Sequence, residues 1–163
     1  SFINLEEVYH VYLYTDIPRK YTPYSFNQDL NGEFEIRTVL GSQNPDIESD
    51  YSWVHFTLAA SIELPETKIY VMGNFNNYEP DDQNLMIYNK SLEAYELKIL
   101  LKQGYYNYKY VAKTKSNWDF NLISGNYYQT ENSYKILVYY RPPGEIYDQL
   151  IGIKELNSRN IFN

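Results

Sequence analysis

The chain contains no cysteine, and only two histidines and two methionines among its 163 residues. Without thiols, disulfides and thiolate chemistry are excluded, although this says little about compartment. Positive charge is scarce. Fourteen Lys and Arg face 21 Asp and Glu, a formal net charge of −7. Affinity for a phosphate backbone is built from basic side chains, so this balance argues against a nucleic-acid partner. Long apolar runs are missing too. No stretch approaches the ~20 residues of a membrane helix, and no signal peptide is visible. The first methionine is Met72, so the chain is expected to be processed or part of a longer protein. Convincing helical periodicity, internal repeats and low-complexity tracts are also lacking.

What the chain has in excess is tyrosine, 20 residues of it. A flat ring suits a pleated, half-buried surface, so tyrosine favours strands. Its hydroxyl tolerates water, which also suits interfaces and sugar sites. Strand patterns recur along the chain. Val8–Tyr14 is the first, and Glu33–Leu40 follows the turn signal Asn31-Gly32. Residues 41–52 are polar and acidic and read as a loop. Trp53–Ala59 places Val54, Phe56 and Leu58 on one face, and Lys68–Met72 comes next. Ala94–Leu101 aligns Tyr95, Leu97, Ile99 and Leu101. Lys102-Gln103-Gly104 reads as a hairpin turn, with Tyr105–Lys113 as the returning strand. Tyr106, Tyr108 and Tyr110 then share one face and are expected in the core. Ser133–Arg141 aligns Tyr134, Ile136, Val138 and Tyr140, and Pro142-Pro143-Gly144 stops it. Asp148–Leu156 is a further strand. Short strands separated by turn signals imply an all-β, antiparallel β-sandwich. A membrane barrel fits poorly, because charge falls on strand faces that lipid would cover and the tyrosines lie mid-strand.

Catalytic patterns are not apparent. Neither His10 nor His55 sits in an HExxH or other metal-ligand spacing. No GxSxG occurs, and there is no cysteine nucleophile. Asp29–Glu33 lacks the remaining ligands of a calcium loop and reads better as a turn. The chain is therefore expected to be no enzyme and to use no metal or cofactor.

Residues 69–78 (IYVMGNFNNY), a following strand, the turn KQG and then 106–111 (YNYKYV) resemble the early-set immunoglobulin-like domain of glycogen-binding modules. The resemblance implies an immunoglobulin-like sandwich with extra N- and C-terminal strands. Carried over by motif, it also implies an α-glucan site formed by Tyr78, Lys109, Trp118 and Asn132. Tyr78 replaces the family's tryptophan, and the loop after Lys113 lacks the family's Asp-Gly.

A second resemblance spans most of the chain. DIPRKYTPYSFNQDLNGEF (16–34), LLKQGYYNYKYV (100–111), YYQTENSYKILVYYRPPGEIYDQLIG (127–152) and LNS (156–158) resemble, in order, the C-terminal half of the plug proteins of type IX secretion. This implies a periplasmic, outer-membrane-associated binding protein that closes the translocon barrel and does not itself span the membrane. A signal peptide and a β-domain are then expected upstream. The implied organisation is residues 1–45 as the end of that upstream part, 46–52 as linker, 53–141 as the early-set sandwich and 142–163 as a C-terminal strand and tail. The partner is expected to be the barrel protein, with a glycan as the alternative.

Overall fold

The structure is a computed structural model and describes residues 8–26, 29–38 and 43–158. In chain order the elements are β1 (Tyr9–Tyr12), β2 (Phe34–Ile36), the one-turn helix α1 (Pro45–Glu48), β3 (Tyr51–Ala59), β4 (Lys68–Met72), β5 (Ile87–Asn89), β6 (Ala94–Lys102), β7 (Gly104–Tyr106), β8 (Lys109–Lys113), β9 (Trp118–Asp119), β10 (Ser133–Tyr140) and β11 (Gln149–Asn157). A 3₁₀ turn covers Asn74–Asn76. The chain is all-β. It divides into two compact units, residues 1–126 and 127–163.

The first unit is a β-sandwich. One sheet has the order β1-β3-β6-β5, and the other the order β4-β8-β9. Period-two patterning decides what lies between them. Phe56 and Leu58 of β3 and Tyr95 and Leu101 of β6 point inward, and so do Ile69 and Val71 of β4 and Tyr110 of β8. Met86 and Ile123 complete the buried cluster, and Val54, Leu97, Ile99, Tyr106 and Tyr108 pack against it. The expected core faces of β3 and β6 and the three-tyrosine row are therefore observed.

Three expectations change. The KQG turn does not close a hairpin. β6 pairs with β3 and β5, whereas the chain after the turn pairs elsewhere. β7 pairs with β2, and β8 crosses to β4 in the opposite sheet. The returning strand is broken at Asn107 and Tyr108 because Asn107 serves a distant loop. Its side-chain oxygen accepts from the backbone N–H of Leu30 and of Gly32. Second, the sandwich is not wholly antiparallel, since β1 lies parallel to β3. The described part of residues 1–45 is thus woven into the first unit. The expected 41–52 loop holds α1 and the start of β3. Residues 39–42, at the end of the expected second strand and the start of that loop, lie outside the described residues. Third, the strand expected to belong to the 53–141 sandwich, β10, pairs with β11 over its full length. The boundary falls at 126/127 rather than at 141/142.

The N-terminal segment is held by one carboxylate. The hydroxyls of Tyr108 and Tyr110 both donate to Asp16 Oδ2, at 2.8 and 2.7 Å. Asp16 also takes its place in the sheet: its N–H donates to Thr57 O, and its carbonyl accepts from Ala59. Burial, then the bond to Asp16, pushes the Tyr108 and Tyr110 hydroxyls well above the ordinary tyrosine value. Burial raises Tyr106 to about 12.

The second unit is the hairpin β10–β11, joined through a turn in which Glu145 N–H donates to Pro142 O. Gly144 takes φ 92°, as the third position of a type II turn requires. Arg141 forks onto both carboxylate oxygens of Asp148 at 2.9 and 3.2 Å. The expected stop at Pro142 is observed.

Three outcomes test this core. Tyr108→Ala is expected to cost about 3–5 kcal/mol in urea unfolding, as for other large aromatic-to-alanine core changes. Asp16→Ala leaves two part-buried hydroxyls without an acceptor and is expected to cost about 2–4 kcal/mol. The third outcome concerns pH. The folded state holds the three tyrosine protons more tightly than the unfolded chain. Stability is therefore retained below the ordinary value of 10.0 and falls as pH rises above it, through about 12 for Tyr106. Urea midpoints measured from pH 8 upward would show no alkaline decline if these hydroxyls were solvated.

Candidate interaction surfaces

The outer face of sheet β1-β3-β6-β5 carries a row of rings and charges. Strand register puts His10 and Tyr12 beside Trp53 and His55, and those beside Leu100 and Lys98. Tyr12 stacks on His55 with centroids 4.2 Å apart and planes 18° apart. His10 Nδ1 lies 2.8 Å from His55 Nε2. The Lys98 ammonium sits 5.0 Å from the Trp53 ring centroid, and Lys102 takes the same position on Tyr51 at 5.4 Å. Such cation–π pairs at exposed sites contribute about 0.5–1 kcal/mol each. Burial, then His10 and Lys98, hold the His55 imidazole below its ordinary pKa, while Glu96 opposes them. Beside this row an open cleft of about 730 Å³ runs along Thr57, Ile87, Asn89, Glu96 and Lys98. Asn89 donates to Glu96 Oε2 at 2.7 Å within it.

The residues implied by the sugar-binding resemblance are dispersed. Lys109 and Trp118 share the outer face of sheet β4-β8-β9, because Trp118 pairs with Lys113, four residues on from Lys109. There Tyr70, Met72 and Val111 form a second, smaller buried cluster, with Leu85 and Trp118 packed on it. The Trp118 ring lies against Tyr70 at 5.5 Å, and the Lys113 ammonium sits 4.8 Å from its centroid. The Lys109 ammonium lies 5.6 Å from the Phe120 ring, and burial lowers its pKa. Asn132 belongs to the second unit, where its N–H donates to Ser158 Oγ and its amide to Thr130 O.

Tyr78 has a structural task. It follows Asn77, and both adopt the left-handed region at φ 54°, which a bulky ring seldom enters. Its hydroxyl donates to Gly32 O at 2.6 Å, and a Cβ at Gly32 would lie 2.7 Å from that hydroxyl. Asn31 and Gly32 form the expected turn, closed by Glu33 N–H to Leu30 O, and their φ values of 53° and 88° are those of type I′. Gly73 opens the GNFNN loop for a similar reason. A Cβ there would lie 2.5 Å from both Asn107 O and the Phe75 ring. The Gly-Asn-Phe-Asn motif therefore docks one loop on another. Its sequence signature marks packing as much as it marks a ligand site.

The hairpin β10–β11 exposes apolar residues on both of its faces. Tyr134, Ile136 and Val138 share one face with Leu156, and Leu137 and Tyr139 share the other with Ile153 and Leu150. These residues, with Tyr140 and Ile151, are 42–61% exposed. Lys135 and Glu155 pair across the strands at 2.8 Å. The alternation on β10 was readable from the sequence, but not the apolar character of both faces. The matching apolar positions of β11 carried that signal.

Among the described residues, no group of three or more His, Cys, Asp or Glu is placed to hold a metal ion, and no helix is long and apolar enough to cross a membrane. No protein-family model matches the chain, and no curated protein does. A crystal structure of a hypothetical protein from Parabacteroides merdae ATCC 43184 is similar, with 43% sequence identity and a TM-score of 0.81. The match covers 96% of this chain and 39% of that one, so this chain spans about two-fifths of that protein's length.

Proposed function

We propose that the protein is a non-enzymatic, periplasmic protein-binding module, the C-terminal part of a plug subunit that closes the outer-membrane translocon of type IX secretion. The observation that carries this reading is the β10–β11 hairpin. Its two apolar faces stand exposed, and a two-stranded hairpin is marginal in water without a packing partner. Exposed contiguous apolar surface of this kind marks protein contact. Its tyrosines add large contact area at low entropy cost, which suits a protein interface. The ordered motifs shared with plug proteins supply the partner class, and two of them, 127–152 and 156–158, form this hairpin.

The alternative, α-glucan binding, draws on Lys109 and Trp118, which share one sheet face. Retention on an α-glucan gel that is lost in Trp118→Ala would favour it.

The test uses the full-length protein in its native cells. A photo-crosslinking residue at Tyr139 is expected to capture the translocon barrel, and one at the exposed Lys90 is expected to capture much less. Replacing Leu137, Tyr139 and Ile153 together by serine is expected to abolish co-purification from detergent extracts while the sandwich keeps its unfolding transition. The reading fails if the full-length protein never associates with the translocon.

A further inference from the structure

The two histidines are the chain's whole complement. They stand 45 residues apart in sequence, and the parallel pairing of β1 with β3 brings them into contact. Their ring centroids are 5.1 Å apart with planes inclined by 30°. At a nitrogen separation of 2.8 Å that is an edge-to-edge approach, with His10 Nδ1 and His55 Nε2 turned towards each other. One nitrogen donates and the other offers a lone pair, so at least one ring is neutral.

We propose that His10 and His55 form a two-histidine site for a divalent first-row transition ion such as Zn²⁺ or Ni²⁺, which staples strand β1 to β3. Neutral imidazole is the side chain best suited to these ions. Tetrahedral coordination at 2.0–2.1 Å per nitrogen sets the two nitrogens about 3.3 Å apart. The pair has to open by about half an ångström from its present contact, and the shared proton has to move to the other nitrogen of the ring that carries it, so that both facing nitrogens offer lone pairs. Tyr12 lies flat on His55 and restricts its ring on one side. Water fills the remaining coordination positions on the open side. The Lys98 ammonium is drawn over the Trp53 ring, yet it still acts on His55 more strongly than Glu96, the carboxylate on the same sheet face that opposes it. β1 is a four-residue edge strand with every residue exposed. An ion bound by residues 10 and 55 binds only the docked strand, so it stabilises the docked state by mass action. The site stands independently of the function proposed above.

Titration calorimetry of the chelator-treated chain with Zn²⁺, and separately with Ni²⁺, tests the site. One ion per chain is expected to bind, and the thermal midpoint is expected to rise with added ion. His10→Asn lies on an exposed edge strand and is not expected to disturb the fold. It is expected to weaken binding by about tenfold or more, since loss of even an outer-shell partner costs that much. His55→Asn is expected to weaken binding equally, and the double variant little further. Undetectable binding at millimolar ion, or affinity unchanged in His10→Asn, overturns the proposal.

Discussion

One carboxylate ties three parts of the first unit together. Asp16 sits on the strand-like segment that follows β1 and bonds through its backbone to β3. Its side chain crosses the sandwich to Tyr108 and Tyr110, at the start of the opposite sheet. The geometry is demanding, because two hydroxyls converge on a single oxygen. Their rings meet edge to face at 5.8 Å, and Tyr108 packs the same way on Phe56 at 5.0 Å. Hydrogen bonds to charged groups contribute about 1.5–3 kcal/mol each, so the latch is comparable to a buried side chain. It also explains how tyrosine can fill a core where phenylalanine would be the simpler choice. The ring supplies apolar area, and the hydroxyl finds its acceptor on a segment far away in sequence.

That remoteness sets the limit of what is legible in the sequence. Local periodicity reads correctly where one face of a strand is the more deeply buried, as in β3 and β6. It identifies Tyr106, Tyr108 and Tyr110 as inward-facing and Tyr105 as outward-facing. It does not reveal partners. KQG has the composition of a tight turn, but hairpin closure requires the next strand to pair with the previous one. Here Phe34–Ile36 takes the strand directly after the turn, and β4 takes the one after that. The alternation of apolar residues is the same in both cases, so nothing local separates a hairpin from a crossing between sheets. His10 and His55 illustrate the same limit. Their contact follows from a parallel pairing of strands more than 40 residues apart, and no spacing rule for a local motif addresses it.

The candidate surface residues were less legible than the fold, for a related reason. A motif carried over from another family fixes a residue's place in the chain, but its environment belongs to this protein. The resemblance to glycogen-binding modules implies a sugar-stacking ring at Tyr78, yet the Tyr78 hydroxyl closes on the Asn31-Gly32 turn. Lys109 and Trp118 are partly buried and stand over rings of their own. A tyrosine committed to a turn and a tryptophan packed on Tyr70 give up part of what a sugar face needs, namely an unobstructed ring.

The hairpin of the second unit reverses that situation. None of its apolar rings is needed to close a core within residues 127–158, because a single two-stranded layer has no interior. The alternation that normally separates a core face from a solvent face is lost there, with Leu137 and Tyr139 on one side and Ile136 and Val138 on the other. A sheet that is apolar on both faces reads as a layer meant to be covered twice. Its pairing is well specified: eight residue pairs, one bulge after Val138, and a proline-glycine turn clamped by Arg141 and Asp148. These features fix the register of the strand pair, while its uncovered apolar faces leave a two-stranded layer marginal by itself, so strand pairing and the covering of those faces are coupled.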